Sequence, residues 1–348
     1  MKDFNLEKIT RENVKGLEPY ASARDEYISD GSEMTFLDAN ENPFENGVNR
    51  YPDPQQRALK SALSQRKGVP VENLLLGNGS DEVLDLILRV FCEPKVDNVI
   101  TLPPTYGMYK VLAAINNIEN REVLLTENFQ PDVKEILALA DQNSKLLFLC
   151  SPNNPTGNSI SEEKIILLLE NFKGLVVIDE AYVDFSSKES WLSRLEQYPN
   201  LIITQTLSKA YGMAGIRLGI CIASTDIISL LNKIKPPYNI NELTQNHALK
   251  RLESVSRIRL EISEILSQKK LISKVLLQVN FIEKIYPSDA NFILVKVDNA
   301  NKRYDELLKK GIVTRNRSNQ PLCENTLRFT IGTPEENIKL VMALKELG

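Results

Sequence analysis

Residues 201–219 read LIITQTLSKAYGMAGIRLG, an apolar run followed by hydroxyl side chains, a lysine and an arginine. Similar short apolar runs occur at residues 98–102, 145–150 and 174–178, and stretches with helical spacing lie between most of them. Short continuous apolar runs that alternate with amphipathic helices are typical of parallel strands buried on both faces. The sequence therefore predicts an α/β fold built on a doubly wound, mostly parallel sheet.

The alternation of apolar runs and helices changes at the proline-bearing turn KPPYNINE. A long charged stretch with helical spacing follows, from about Glu242 to Val279, and strand-like runs come after it. This order is typical of a second, α+β domain. We therefore predict an N-terminal arm over residues 1–35 that joins the small domain, a large domain over 36–238 and a small domain over 239–348.

Composition and charge exclude several classes of protein. The 348 residues are 42% hydrophobic and 25% charged, which suits a well-packed core. A formal net charge of -4 leaves no basic excess for a nucleic-acid backbone. The N-terminus has no apolar signal region, and no apolar run approaches the ~20 residues of a membrane helix. Four scattered cysteines and one histidine lack metal-site spacing. We expect a cytoplasmic enzyme with no metal, nucleic-acid or membrane partner.

The segment GNGSDEVL, residues 77–84, combines a glycine turn with the start of an amphipathic helix. We predict that Ser80 caps a helix beginning near Asp81. Backbone N–H groups at a helix N-terminus attract a phosphate, although the segment lacks the third glycine of a dinucleotide-binding fingerprint. Asp81 and Glu82 would repel such an anion unless their side chains point away from it.

Residues 206–219 place chemically useful groups directly after a predicted strand, at the edge where open parallel sheets bind ligands. Lys209 fits a Schiff-base lysine that is partly buried and has a lowered pKa. Thr206, Ser208 and Arg217 offer hydroxyls and a guanidinium suited to a phosphate. Taken alone, the segment also fits a surface lysine after a strand.

Three other predicted strand ends carry unusual side chains. Asp179 follows a fully apolar strand and needs a cationic partner, such as a protonated ring nitrogen, with Tyr182 three residues further on. Asn154 would present an amide, and Tyr106 would present an aromatic face to a planar ligand. Each feature alone also fits a loop or a core side chain. Together with Lys209 they describe a site for pyridoxal phosphate.

The motifs NPTG, DEAY, SKAYGMAGIR and RFTIGT occur in this order, and the chain resembles fold-type I pyridoxal-phosphate aminotransferases over nearly its whole length. The stretches LDANENPF, NRYPDPQ, GNGSDE and PPTYGMY are similar to the histidinol-phosphate aminotransferase branch of that family. The resemblance implies a large domain with a mostly parallel seven-stranded sheet and a smaller α+β domain.

The resemblance also implies cofactor roles for residues that match the family motifs. Lys209 would form the covalent link to the cofactor aldehyde, and Asp179 would pair with the pyridine nitrogen. Tyr182 and Asn154 would hydrogen-bond to the 3′ oxygen, and Tyr106 would stack on the ring. The residues that would hold the cofactor phosphate are Ser80, Asp81, Thr206, Ser208 and Arg217.

Further matches imply a homodimer and a substrate site. Tyr51 resembles a tyrosine that reaches the cofactor phosphate from the neighbouring subunit. Arg328 and Arg315 resemble arginines that bind a substrate carboxylate or phosphate, and such pairs suit bidentate hydrogen bonding. Tyr20 resembles a lid tyrosine, and Asn40 would line the site.

The implied reaction is the transamination of L-histidinol phosphate with 2-oxoglutarate to imidazole acetol phosphate and L-glutamate, which runs in reverse during histidine biosynthesis. An aromatic amino-acid aminotransferase of the same fold is the nearest alternative. A phosphothreonine-type decarboxylase on this scaffold is a second. A cofactor-binding regulatory module is a third, but that class needs an appended DNA-binding domain, for which the chain leaves no residues.

Overall fold

The computed structural model describes residues 4–20 and 34–347. A seven-stranded sheet forms its centre, with the strand order β1-β7-β6-β5-β4-β2-β3. Strand β7 is antiparallel to both of its neighbours, and the other strand pairs are parallel. The predicted α/β fold with a mostly parallel sheet is confirmed. The strands are β1 (Leu74–Asn78), β2 (Asn98–Thr101), β3 (Glu119–Glu122), β4 (Ser144–Cys150), β5 (Leu175–Asp179), β6 (Leu201–Thr206) and β7 (Leu218–Ala223).

Helices cover both faces of this sheet because its strands are apolar on both sides. In β5, Val176 and Ile178 belong to one hydrophobic cluster, whereas Leu175 and Val177 belong to another on the opposite face. The alternation follows from the two-residue period of a strand. The helices in this part of the chain are α1 (Leu6–Ile9), α2 (Glu12–Lys15), α3 (Arg57–Lys67), α4 (Gly79–Phe91), α5 (Met108–Ile115), α6 (Val133–Leu139), α7 (Glu162–Asn171) and α8 (Thr225–Ile234).

A second, four-stranded antiparallel sheet follows in the chain, with the order β10-β11-β9-β8. Leu327 and Phe329 pack with Leu276 and Leu344 in a hydrophobic cluster of their own. This arrangement agrees with the predicted α+β unit, while the exact domain limits stay a prediction. Its elements are α9 (Glu242–Leu252), α10 (Val255–Leu276), β8 (Ile282–Ile285), β9 (Phe292–Val297), α11 (Ala300–Lys309), β10 (Arg315–Asn316), β11 (Thr326–Thr330) and α12 (Pro334–Leu347).

Two details differ from the expectations. The charged stretch predicted as one long helix is broken at Glu253 and Ser254, between α9 and α10. The break lets the Arg251 side chain bond both to the carbonyl of Tyr211 and to Glu261 in the next helix. The largely apolar run MTFL at residues 34–37 predicts a short strand before a polar turn, but residues 34–44 belong to neither sheet.

The described part of the predicted N-terminal arm packs on the larger sheet's helices. Ile9 and Val14 share a hydrophobic cluster with Phe91 of α4 and Leu231 of α8. The Lys233 ammonium also donates to the carbonyl of Lys15, at 2.7 Å. Within residues 4–20 and 34–347, no helix combines the length and apolar character needed to cross a membrane.

Candidate active site

A cavity of about 270 Å³ opens where β4, β5 and β6 end, at the carboxyl edge of the parallel strands. It contains every residue predicted to bind the cofactor except Tyr51, and it also contains Arg328. Cys150 and Ala181 complete the lining without having been predicted. The lining residues are Ser80, Asp81, Tyr106, Cys150, Asn154, Asp179, Ala181, Tyr182, Thr206, Ser208, Lys209, Arg217 and Arg328.

Asp179, the last residue of β5, is a buried carboxylate that two donors orient. Its Oδ2 accepts a hydrogen bond from the Tyr109 hydroxyl at 2.7 Å, and its Oδ1 accepts one from the backbone N–H of Ala181 at 3.1 Å. Burial raises the pKa of Asp179, and these two hydrogen bonds oppose that rise. None of the described lysines or arginines forms an ion pair with Asp179. The carboxylate therefore suits a cationic group of a ligand.

Lys209 lies in the segment that follows β6. Burial lowers the pKa of Lys209, and the nearby cations Arg328 and Arg217 lower it further. Its Nζ lies 5.6 Å from the centroid of the Tyr182 ring. A lysine whose pKa is lowered carries more neutral amine, which is the nucleophilic form.

The start of α4 and the hydroxyls after β6 form the polar end of the cavity. Helix α4 begins at Gly79, and Asn78 precedes it without a side-chain cap. The predicted capping role of Ser80 is therefore wrong, because Ser80 lies inside the first turn. The Thr206 Oγ lies 3.0 Å from the Ser208 Oγ and accepts from the Ser208 N–H at 3.1 Å. Free N–H groups in a first helical turn and clustered hydroxyls suit a phosphate.

The two acidic residues of α4 differ in orientation. Glu82 points away, since its carboxylate accepts from the N–H of Asn78 at 2.6 Å and from the Asn239 amide at 2.9 Å. Asp81 instead faces the cavity, where it accepts from the Tyr106 hydroxyl at 3.0 Å and lies 3.9 Å from Arg217. Asp81 therefore does not point away from the site, because these donors hold it toward the cavity.

Arg328 on β11 connects the smaller sheet to the cavity. Its guanidinium bonds to the side-chain oxygen of Asn154 and lies 5.1 Å from the Phe292 ring centroid. The Tyr182 ring meets the same Phe292 edge-on at 5.2 Å. Burial raises the pKa of Tyr182, so its phenol stays protonated at neutral pH. Asn154 and Tyr182 both line the cavity, where each can donate a hydrogen bond to a ligand.

Two residues of the site went unnoticed in the sequence. Tyr109 orients Asp179 and stacks on Phe148 at 4.9 Å, and burial raises its pKa far above the usual range, which keeps it a donor. Phe292 lies under both Arg328 and Tyr182. The spacing of Tyr106 and Tyr109, close to one helical turn, could have indicated the role of Tyr109.

The remaining predicted residues lie outside this cavity. Tyr20 lines a separate cavity of about 720 Å³ beside α2 and α8. Asn40 and Tyr51 line a third, and the Tyr51 ring stacks on Tyr238 at 4.6 Å. Arg315 is exposed on β10, directly opposite Arg328 on β11.

Comparison with known proteins agrees with this fold. The family described as aminotransferase class I and II matches residues 36–344, which is most of the chain. The chain belongs to the class I and II aminotransferase family.

Several relatives that are similar to this chain are named histidinol-phosphate aminotransferase. A histidinol-phosphate aminotransferase from Flavobacterium johnsoniae is 65% identical over 349 residues, covering 100% of both chains. The crystal structure of the histidinol-phosphate aminotransferase from Clostridium acetobutylicum superposes with a TM-score of 0.79 at 27% identity, covering 86% of this chain and 91% of that chain. The Sinorhizobium meliloti enzyme of the same name was solved in complex with pyridoxal-5'-phosphate. It superposes with a TM-score of 0.77 at 23% identity, covering 86% of this chain and 84% of that chain. This similarity supports the fold.

Proposed function

We propose that this aminotransferase uses pyridoxal phosphate to exchange an amino group between L-histidinol phosphate and 2-oxoglutarate, with imidazole acetol phosphate and L-glutamate as products. In histidine biosynthesis the reaction would run toward histidinol phosphate. The observation that carries the proposal is the placement of Lys209, Asp179 and Arg328 around one cavity. The full-length similarity to the Flavobacterium johnsoniae enzyme supports the choice of substrate.

The residues present fit this cofactor. Asp179 is a buried carboxylate with no ion-pair partner among the described residues, and a protonated pyridine nitrogen would supply the missing cation. The first turn of α4, with Ser208 and Arg217, would hold the phosphate. When bound, pyridoxal phosphate supplies an aldehyde that captures the amine and a ring that withdraws electrons from it.

The side chains that line the cavity would each have a separate role in the reaction. The Lys209 amine, with its lowered pKa, would carry a proton between the substrate Cα and the cofactor C4′. Asp179, held by Tyr109, would keep the ring nitrogen protonated. Asn154 and Tyr182 would hydrogen-bond to the ring oxygen, and Tyr106 would pack on the ring face.

Arg328 would bind an anionic group of the substrate. It lines the cavity, it bonds to Asn154, and burial lowers its pKa without an acidic partner among the described residues. Arg315 lies opposite it on the neighbouring strand. Glutamate and 2-oxoglutarate carry carboxylates and histidinol phosphate carries a phosphate, so each substrate can use a guanidinium.

We further propose that the enzyme is a homodimer in which Tyr51 reaches the cofactor phosphate of the partner. Two large apolar side chains that line the same cavity as Tyr51 are exposed, Val48 by 53% and Leu243 by 67%. A second copy of the chain would bury this surface. Tyr20 and Asn40 would complete the substrate site in that assembly. The cytoplasmic location stays a prediction.

A half-reaction tests the proposed function. Holoenzyme mixed with histidinol phosphate alone is expected to change from the aldehyde to the amine absorbance spectrum, and 2-oxoglutarate is expected to reverse the change. No change with histidinol phosphate, together with rapid change with phenylalanine, would favour the aromatic aminotransferase instead. Release of carbon dioxide without any need for 2-oxoglutarate would indicate a decarboxylase.

A further inference from the structure

Three arginines lie on one face of the smaller sheet. Arg315 on β10 pairs directly with Arg328 on β11, and the N–H of Arg317 continues this ladder by donating to the carbonyl of Thr326 at 2.9 Å. Alternate residues of a strand share a face, so Arg315, Arg317 and Arg328 lie on the same side. The opposite side of β11 carries Leu327, which packs in the hydrophobic cluster. Since Arg328 lines the cavity, Arg317 lies on the sheet face that turns toward it.

These three cations have no acidic salt-bridge partner among the described residues. No aspartate or glutamate of residues 4–20 and 34–347 forms a salt bridge with Arg315, Arg317 or Arg328. The Nε atoms of Arg317 and Arg328 are buried and have no acceptor among the described residues. Burial lowers the pKa of Arg317, and the charges of Arg328 and Arg315 lower it further. Arg317 and Arg328 are neighbouring half-buried cations, an arrangement that is unfavourable until an anion joins them.

We propose that Arg317 is a specificity-determining residue that, together with Arg315, binds the phosphate group of the amino substrate. The inference rests on the proposed function and deepens it. A phosphate is close to a dianion at neutral pH and has three acceptor oxygens, so it can satisfy several guanidinium groups at once. A carboxylate carries a single charge and two oxygens. Arg317 therefore favours the phosphorylated substrate over glutamate.

Substitution of Arg317 should weaken the binding of histidinol phosphate more than the binding of glutamate. For Arg317→Gln we expect the KM for histidinol phosphate to rise about 10- to 100-fold, the range for loss of a charge-assisted hydrogen bond. We expect kcat to stay within about twofold, because Arg317 is not among the residues that line the cavity around Lys209 and Asp179. The KM for glutamate should rise less than about threefold. Arg317→Lys keeps the charge but loses the planar guanidinium. Its KM for histidinol phosphate should lie between those of the wild type and Arg317→Gln.

A binding measurement provides a second readout. Inorganic phosphate should raise the Tm of the wild-type holoenzyme, whose cofactor-phosphate site is already occupied, and should raise the Tm of Arg317→Gln much less. Without phosphate, Arg317→Gln should be at least as stable as the wild type, since the substitution removes repulsion from Arg315 and Arg328. Arg259→Gln is the matched control, because Arg259 is exposed on α10.

Two results would overturn the inference. One is equal loss of affinity for histidinol phosphate and glutamate in Arg317→Gln. The other is behaviour of Arg317→Gln that matches the Arg259→Gln control with both substrates and with phosphate. A wild-type enzyme that does not turn over histidinol phosphate would instead refute the proposed function, so the two failures are distinguishable.

Discussion

Asp179 is a carboxylate whose burial is unfavourable for folding and whose proposed role is to bind the cofactor ring. Its folded-state pKa is raised, mainly by burial. The stability that it contributes is therefore present below its unfolded pKa of about 3.9 and is lost as pH rises through the folded pKa. We expect apo Asp179→Asn to be more stable than the apo wild type by about 1–3 kcal/mol above neutral pH, with the difference shrinking in acid. Denaturant unfolding across pH measures this.

Asp298→Asn provides a control of opposite sign. Hydrogen bonds from Arg303 lower the pKa of Asp298, so its stabilisation is present above its unfolded pKa and is lost in acid. We expect Asp298→Asn to be modestly destabilising near neutral pH. If apo Asp179→Asn is destabilised in the same way, Asp179 is not an uncompensated buried charge.

The catalytic candidates could be predicted because they follow apolar strands directly. Asp179 and Lys209 stand at strand ends, and parallel strands deliver such residues to one edge. The orientation of Asp81 could not be predicted, because it depends on Tyr106, which is distant in sequence and donates to it. Tyr109 was missed since a tyrosine in the largely apolar helical stretch MYKVLAAI resembles a core side chain in the sequence.

Strand β7 holds the polar end of the site in place by passing very close to the start of α4. A Cβ atom on Gly219 would lie 2.3 Å from the Gly79 carbonyl carbon and 2.4 Å from the Ser80 nitrogen. Backbone atoms cannot move aside without a large cost in free energy. We therefore expect Gly219→Ala to destabilise the protein by about 3 kcal/mol and to weaken cofactor binding. Unfolding and cofactor titration measure the two effects.

Gly215→Ala is the matched control for Gly219→Ala. Gly215 lies four residues earlier, and a Cβ atom there would have nothing within 4 Å. Its stability and cofactor affinity should stay close to those of the wild type. Equal behaviour of the two variants would show that the contact between β7 and α4 does not shape the site.

The direction of β7 was beyond sequence analysis. Its residues, LGICIA, are buried throughout, and an apolar run of this kind looks the same for parallel and antiparallel pairing. The parallel strands β4 and β5 were easier to recognise, because helix α7 lies between them. The break between α9 and α10 was also missed, since neither proline nor glycine marks it.

Hybrid dimers test whether Tyr51 acts in the partner's site. Tyr51→Phe should bind the cofactor weakly, and Lys209→Ala should be inactive. In a dissociated and reassociated equal mixture, about a quarter of all sites should combine an intact Lys209 with an intact Tyr51 from the partner. We expect activity at limiting cofactor to exceed the sum of the two separate variants.

The same mixture can contradict the dimer proposal. Activity equal to the sum of the separate variants would mean that Tyr51 acts within its own chain or not at all. Tyr20, Asn40 and Tyr51 matched family motifs but lie outside the cavity of the single chain. In the proposed dimer their placement would depend on the partner chain, which the folding of one chain does not determine.

We propose above all that Lys209 carries the cofactor. Borohydride reduction of the holoenzyme, followed by proteolysis and mass spectrometry, identifies the lysine that is linked to pyridoxal phosphate. We predict the reduced pyridoxyl group on Lys209 and its loss in Lys209→Ala. A pyridoxyl group on another lysine, or an unmodified Lys209 in protein saturated with the cofactor, would contradict the account.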